Sequence, residues 1–117
     1  MDVDDRRTRV AAVRRALEET EHEYAQMPFF VRPLVKRGFE KRTGRDLASW
    51  RALVAQLDVS APPGIDAALA ALAEHYRGAP ARARRGMGAT AVQLREVEAR
   101  AAARVAAVEA LRAALAG

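Results

Sequence analysis

Residues 90–116 read TAVQLREVEARAAARVAAVEALRAALA. Twenty-seven positions without Gly or Pro, rich in Ala, Leu, Glu and Arg, are strong helix-forming material. Thr90 followed by Gln93 matches a capping box, so the stretch predicts one long helix from Thr90 to Ala116, about 39 Å in length. Leu94, Val97, Ala101, Val105, Val108 and Leu115 form one apolar stripe, with Arg104 and Arg112 at its edges. Ala99, Ala103, Ala106, Ala110 and Ala113 form a second stripe, spaced 4, 3, 4, 3. The first is expected to face a bundle. The second is a heptad of methyl groups, open to a second helix or to a second copy of the chain. The alternative is a wet, merely helix-favouring face.

The remaining sequence supports the same class. There are 117 residues, which suits one domain, and 28 of them are Ala. Four further helices precede the long one. The first covers Asp4 to Ala25, with Val10, Val13, Leu17 and Tyr24 on one face. Its acidic end, Glu18 to Glu23, has the wrong sign for a helix C-terminus, and Arg14 and Arg15 are expected to pair with Glu18 and Glu19. Pro28 then breaks the helix. The second runs from Phe30 to Thr43, with Pro33 in its first turn and Gly44 as its stop. Val31, Val35 and Phe39 make its apolar stripe; Arg32, Lys36, Arg37 and Lys41 lie opposite. The third is capped by Asp46 and turns Trp50, Leu53, Val54 and Leu57 inward. Residues 58–64 are a linker, with Ser60 as a candidate N-cap. The fourth occupies 65–78, with Ile65, Leu69, Leu72 and Tyr76 in a narrow arc. Residues 79–89 show no period and are expected to form a mobile basic loop. The expectation is an all-α single domain of four or five helices ending in a long C-terminal helix.

Composition excludes several functions. Cysteine is absent, which removes disulfide, thiol and thiolate-metal chemistry. Ser49 and Ser60 have no partner constellation for nucleophilic catalysis. Gly86 and Gly88 fit no phosphate-loop spacing. Glu19 and His22 stand at the i, i+3 spacing of a di-iron bundle, but Leu72 lies three residues before His75, so the second pair is missing. His75 is expected as a half-buried surface histidine. No cofactor, no metal and no catalytic residue are expected. The longest run free of charge is nine residues, Gly86 to Leu94, which is too short to span a membrane. The acidic start, with Asp2, Asp4 and Asp5, is unlike a signal peptide. A cytoplasmic protein is expected.

Net charge is +5, and residues 28–58 alone carry seven basic side chains against three acidic ones. That balance suits acidic partners. A protein partner or a second copy of the chain is the leading expectation. Nucleic-acid binding through Arg82, Arg84 and Arg85 is the alternative, although no aromatic residue interleaves with those cations.

One stretch carries more specific information. Residues 27–41, Met-Pro-Phe-Phe-Val-Arg-Pro-Leu-Val-Lys-Arg-Gly-Phe-Glu-Lys, follow the acidic end of the first helix. Within a span of about 10–57 the sequence resembles the small helical domain (PCP_red type) at the C-terminus of the B subunit of light-independent protochlorophyllide reductase. Pro28, Phe29, Phe30, Val31, Arg32, Val35, Lys36, Arg37, Glu40 and Lys41 match its pattern. Beyond Gly44 the chain departs from it: Asp46 to Leu57 replace a helix that opens on an Ile-Thr step. The resemblance implies a docking or covering element beside a tetrapyrrole or nitrogenase-like redox enzyme. It supplies no catalytic residue, because the chemistry resides in larger parts of that complex. Phe29, Phe30, Arg32, Lys36, Arg37 and Lys41 are the candidate partner-binding residues. Ala99, Ala103, Ala106 and Ala110 are the candidate self-association residues. At least one of Phe29 and Phe30 is expected in the core, as a staple between the first two helices.

Overall fold

The computed structural model describes residues 3–86 and 90–117. These form only helices: α1 Val3–Ala25, α2 Arg32–Thr43, α3 Leu47–Gln56, α4 Ile65–Arg77, α5 Ala79–Arg85 and α6 Ala91–Ala116. The all-α architecture with a long C-terminal helix is as expected. Five of the helices have ten residues or more, and α5 is a short additional one.

The helix ends follow from local chemistry. Gly44, at φ 82°, closes α2 in the left-handed region that glycine adopts without strain. The Asp46 carboxylate accepts the Ser49 amide at 2.8 Å and opens α3. Thr90 and Gln93 form the capping box of α6, with the Thr90 amide donating to Gln93 Oε1 at 2.8 Å and the Gln93 amide to Thr90 Oγ1 at 3.1 Å. Ser60 is not the cap of α4. Its hydroxyl turns back to the Gln56 carbonyl, and Gly64, at φ 80°, opens the helix after Pro62 and Pro63.

The expected basic loop is the second correction. Residues 79–85 are helical. Pro80 sits in the first turn, where a missing N–H is harmless, and alternating Ala and Arg favour the helix thereafter. The segment is held by Arg82 Nη2 donating to the His75 carbonyl at 2.7 Å and by Arg84 pairing with Glu98 at 2.9 Å. Residues 87–89, the rest of that predicted loop, lie outside the described residues.

The core joins Val10, Val13 and Leu17 of α1 to Phe39 of α2, Trp50 and Val54 of α3, Leu69, Leu72 and Tyr76 of α4, and Val108 and Leu111 of α6. Three of its polar side chains, Thr43, Trp50 and Thr20, find partners inside it. The Thr43 hydroxyl accepts from Trp50 Nε1 at 2.9 Å and donates to the Phe39 carbonyl at 2.9 Å. Thr20 shares a hydrogen bond of 2.7 Å with the Tyr76 hydroxyl.

The inward face of α6 is rotated from the predicted stripe. Ala101, Arg104, Val108, Leu111 and Ala114 are buried, whereas Leu94, Val97, Val105 and Leu115 are only half-buried. The rotation has an electrostatic cause. Arg104 Nη1 and Nη2 both donate to the Glu23 carboxylate, and the guanidinium lies 5.7 Å from the Tyr76 ring centroid. Glu19 adds a contact at 3.6 Å, and Arg100 one to Glu23 at 3.8 Å. Glu19 and Glu23, at the acidic end of α1, are therefore neutralised by α6. The expected pairing within α1 is not formed: Arg14 reaches Asp58 instead, at 3.8 Å.

Candidate functional site

Between α1 and α2 the chain turns a sharp corner. Val31 and Arg32 amides bond back to the Pro28 carbonyl at 2.9 and 3.2 Å, and Arg32 Nε donates to the Met27 carbonyl at 2.8 Å. This turn lifts Phe29 and Phe30 off the body of the protein. Their rings meet edge to face at 5.8 Å. Phe29 is 79% exposed, Phe30 67% and Leu34 64%. Neither phenylalanine is in the core, contrary to the staple expectation. Leu34, one helical turn beyond Phe30, belongs to the same patch and was not singled out by the sequence pattern.

The inner edge of α2 explains why the outer one is free. Phe39 is fully buried and Val35 packs against the core, so two positions a turn apart hold the helix. Arg32, Lys36, Arg37 and Lys41 are all exposed. None of the four makes an ion pair among the described residues, whereas Arg51, on the neighbouring helix, is bound to Glu21 at 2.9 Å. A surface groove of about 470 Å³ runs beside these cations. Pro33, Lys36, Arg37, Leu47, Ala48 and Arg51 line it, with Glu21, Glu40 and Asp46 on its walls. The six partner-binding candidates thus lie on one helix and the turn that leads into it.

The other candidates are distributed differently. Ala99, Ala103 and Ala106 are exposed along α6; Ala110 is half-buried, and its carbonyl accepts Arg9 Nη1 at 2.7 Å. Arg82, Arg84 and Arg85 do not present one phosphate-binding face. Arg82 is half-buried and bonded to the His75 carbonyl, Arg84 is paired with Glu98, and Arg85 is exposed.

His75 is not a surface residue. It is 4% exposed, edge to face with Phe39 at 4.8 Å and beside Tyr76. Its Nδ1 accepts a hydrogen bond from Arg42 Nε at 3.1 Å. Burial, reinforced by Arg82, Arg42 and Arg104, pushes its pKa down to about 3, so the ring is neutral in the folded protein. His22 is exposed on α1 and its neighbour Glu19 is turned to Arg104. Among the described residues no three His, Asp or Glu side chains are grouped to hold a metal ion, and no helix is long and apolar enough to cross a membrane.

No protein-family model, no curated protein and no solved structure matches the chain.

Proposed function

We propose that this chain is a non-enzymatic helical accessory module that docks onto a larger, acidic protein partner through the corner formed by Phe29, Phe30 and the outer face of α2. The observation that carries this reading is the exposure of Phe29, Phe30 and Leu34 within one short stretch of chain that also carries four exposed cations without an ion pair among the described residues. Burying one such side chain is worth about 2 kcal/mol. Leaving three in water at one corner gives the folded chain no return, whereas an interface recovers all of it. Aromatic anchors surrounded by Arg suit a binding hot spot, and the unpaired cations suit an acidic face.

The resemblance of residues 27–41 to the reductase-type domain supports the same reading and suggests a tetrapyrrole or nitrogenase-like redox enzyme as the partner. On that reading the chain contributes shape and positive charge, with no catalytic residue or cofactor of its own. The internal commitments of Arg82 and Arg84 make nucleic-acid binding the weaker alternative.

A photo-crosslinking residue at position 34 tests the proposal in the native host. The expected result is one dominant heavier adduct, competed away by unlabelled protein and absent when the probe stands at the exposed Val59. A diffuse ladder, or equal labelling from both positions, contradicts it.

A further inference from the structure

The groove beside α2 adjoins the aromatic corner and has a chemistry of its own. It lies between α2 and α3 and has a volume of about 470 Å³. α2 lines it with Pro33, Lys36, Arg37 and Glu40, which stand at i, i+3, i+4 and i+7 and so share one helix face. α3 supplies Leu47, Ala48 and Arg51. Pro33 and Ala48 are exposed, so part of this apolar surface is covered by nothing in the described residues. Arg37, three residues after Leu34, joins the groove to the corner.

The charges of the groove are balanced in number, three bases against three acids, but not in use. Glu21 accepts Arg51 Nη1 at 2.9 Å, and Asp46 accepts the Ser49 amide at 2.8 Å. Lys36, Arg37 and Glu40 make no ion pair among the described residues. Glu40 follows Lys36 by four positions and Arg37 by three, the spacings at which helical ion pairs form, yet it closes on neither. Two cations without a counter-ion are therefore followed, one turn along the groove, by a carboxylate without one.

We propose that the groove takes an amphipathic helix of the docking partner, with acids facing Lys36 and Arg37, an apolar side chain on Pro33 and Ala48, and a base facing Glu40. This rests on the docking reading above and adds the element of the partner that binds. The described residues include no strand, so a partner segment has no sheet edge to extend. No aromatic side chain lines the groove, which removes the usual seat of a polyproline segment. A trough walled by two helices suits a third, whose i, i+3 and i+4 side chains enter between them. Glu40 opposes a uniform polyanion and favours an occupant that carries both signs of charge.

The test is photo-crosslinking of the full chain in the native host from a small diazirine side chain at position 48, beside the same probe at position 34. The expected result is capture of the same partner from both positions. The segment labelled from position 48, sequenced by mass spectrometry, is expected to carry acids three or four residues apart and a base on the same helix face. Capture from position 48 is expected to fall by about tenfold in Lys36→Glu/Arg37→Glu, and to fall also in Glu40→Gln. These side chains are exposed and without ion pairs among the described residues, so the fold is kept, which an unchanged urea midpoint verifies. An adduct from position 34 with none from position 48 overturns the groove and leaves the docking reading standing; no adduct from either removes both. Capture that rises in Glu40→Gln, or that nuclease abolishes, points to a polyanion and overturns the helix, as does a labelled segment without that pattern.

Discussion

Two phenylalanines nine residues apart have opposite duties. Phe39 is fully buried, and Phe30 is 67% exposed. Phe39→Ala opens a cavity between α2 and α4 and is expected to cost about 4 kcal/mol; Phe30→Ser is expected to leave the midpoint of urea unfolding unchanged. A matching loss in both variants would place Phe30 in the fold rather than at an interface. His75 makes a different prediction at the same scale. Its folded pKa, about 3, lies below its ordinary 6.5. Between those values the unfolded chain binds the extra proton, so the stabilisation is complete above pH 6.5 and is lost as pH falls towards 3. Stability measured from pH 6.5 to 4.5 is expected to fall with a slope approaching 1.4 kcal/mol per pH unit, about one proton's worth. His75→Gln is expected to flatten that slope. A flat wild-type profile contradicts the buried, cation-flanked histidine.

At the scale of the elements, the ends of α6 and α3 were legible because their caps are local: Thr90 with Gln93, and Asp46 with Ser49. Thr90→Ala is expected to cost about 1 kcal/mol, read as a lowered unfolding midpoint with earlier amide exchange in residues 91–94. No change would mean that packing alone holds the start of α6. The apolar faces of α1 and α3 were equally legible, since Val10, Val13, Leu17, Trp50 and Val54 repeat at helical spacing. What sequence did not disclose was tertiary. The rotation of α6 depends on Arg104 meeting Glu23, 81 positions away. The helicity of 79–85 depends on Arg82 and Arg84 finding partners on α4 and α6. The partner-facing residues were readable as types, but their exposure was not: a Phe-Phe pair between two helices reads as a staple until the Pro28 turn is seen to lift it outward. The convergence of Arg42 and Arg82 on His75 has no sequence signal, because three separate helices bring it about.

For the whole molecule, the exposed alanines of α6 set a limit on self-association. Ala99, Ala103 and Ala106 are exposed and Ala110 is half-buried; counted on both copies, their methyl groups at about 0.8 kcal/mol each give at most about 6 kcal/mol, within the range of about 4–15 kcal/mol that association costs, so no surplus is left to hold a dimer. Light scattering at micromolar concentration is therefore expected to return a single-chain mass of 12.7 kDa. A dimer that survives dilution would assign the alanine face a larger role. Arg32, Lys36, Arg37 and Lys41 are exposed on α2 and make no ion pair among the described residues, so attachment to an acidic partner is expected to weaken as salt rises. The central claim, that Phe29 and Phe30 serve a partner rather than the fold, is tested most directly by crosslinking yield from a probe at Lys36 in wild type and in Phe29→Ser/Phe30→Ser. The account predicts that the adduct disappears from the double variant while its helical content and unfolding midpoint stay unchanged; an undiminished adduct would contradict it.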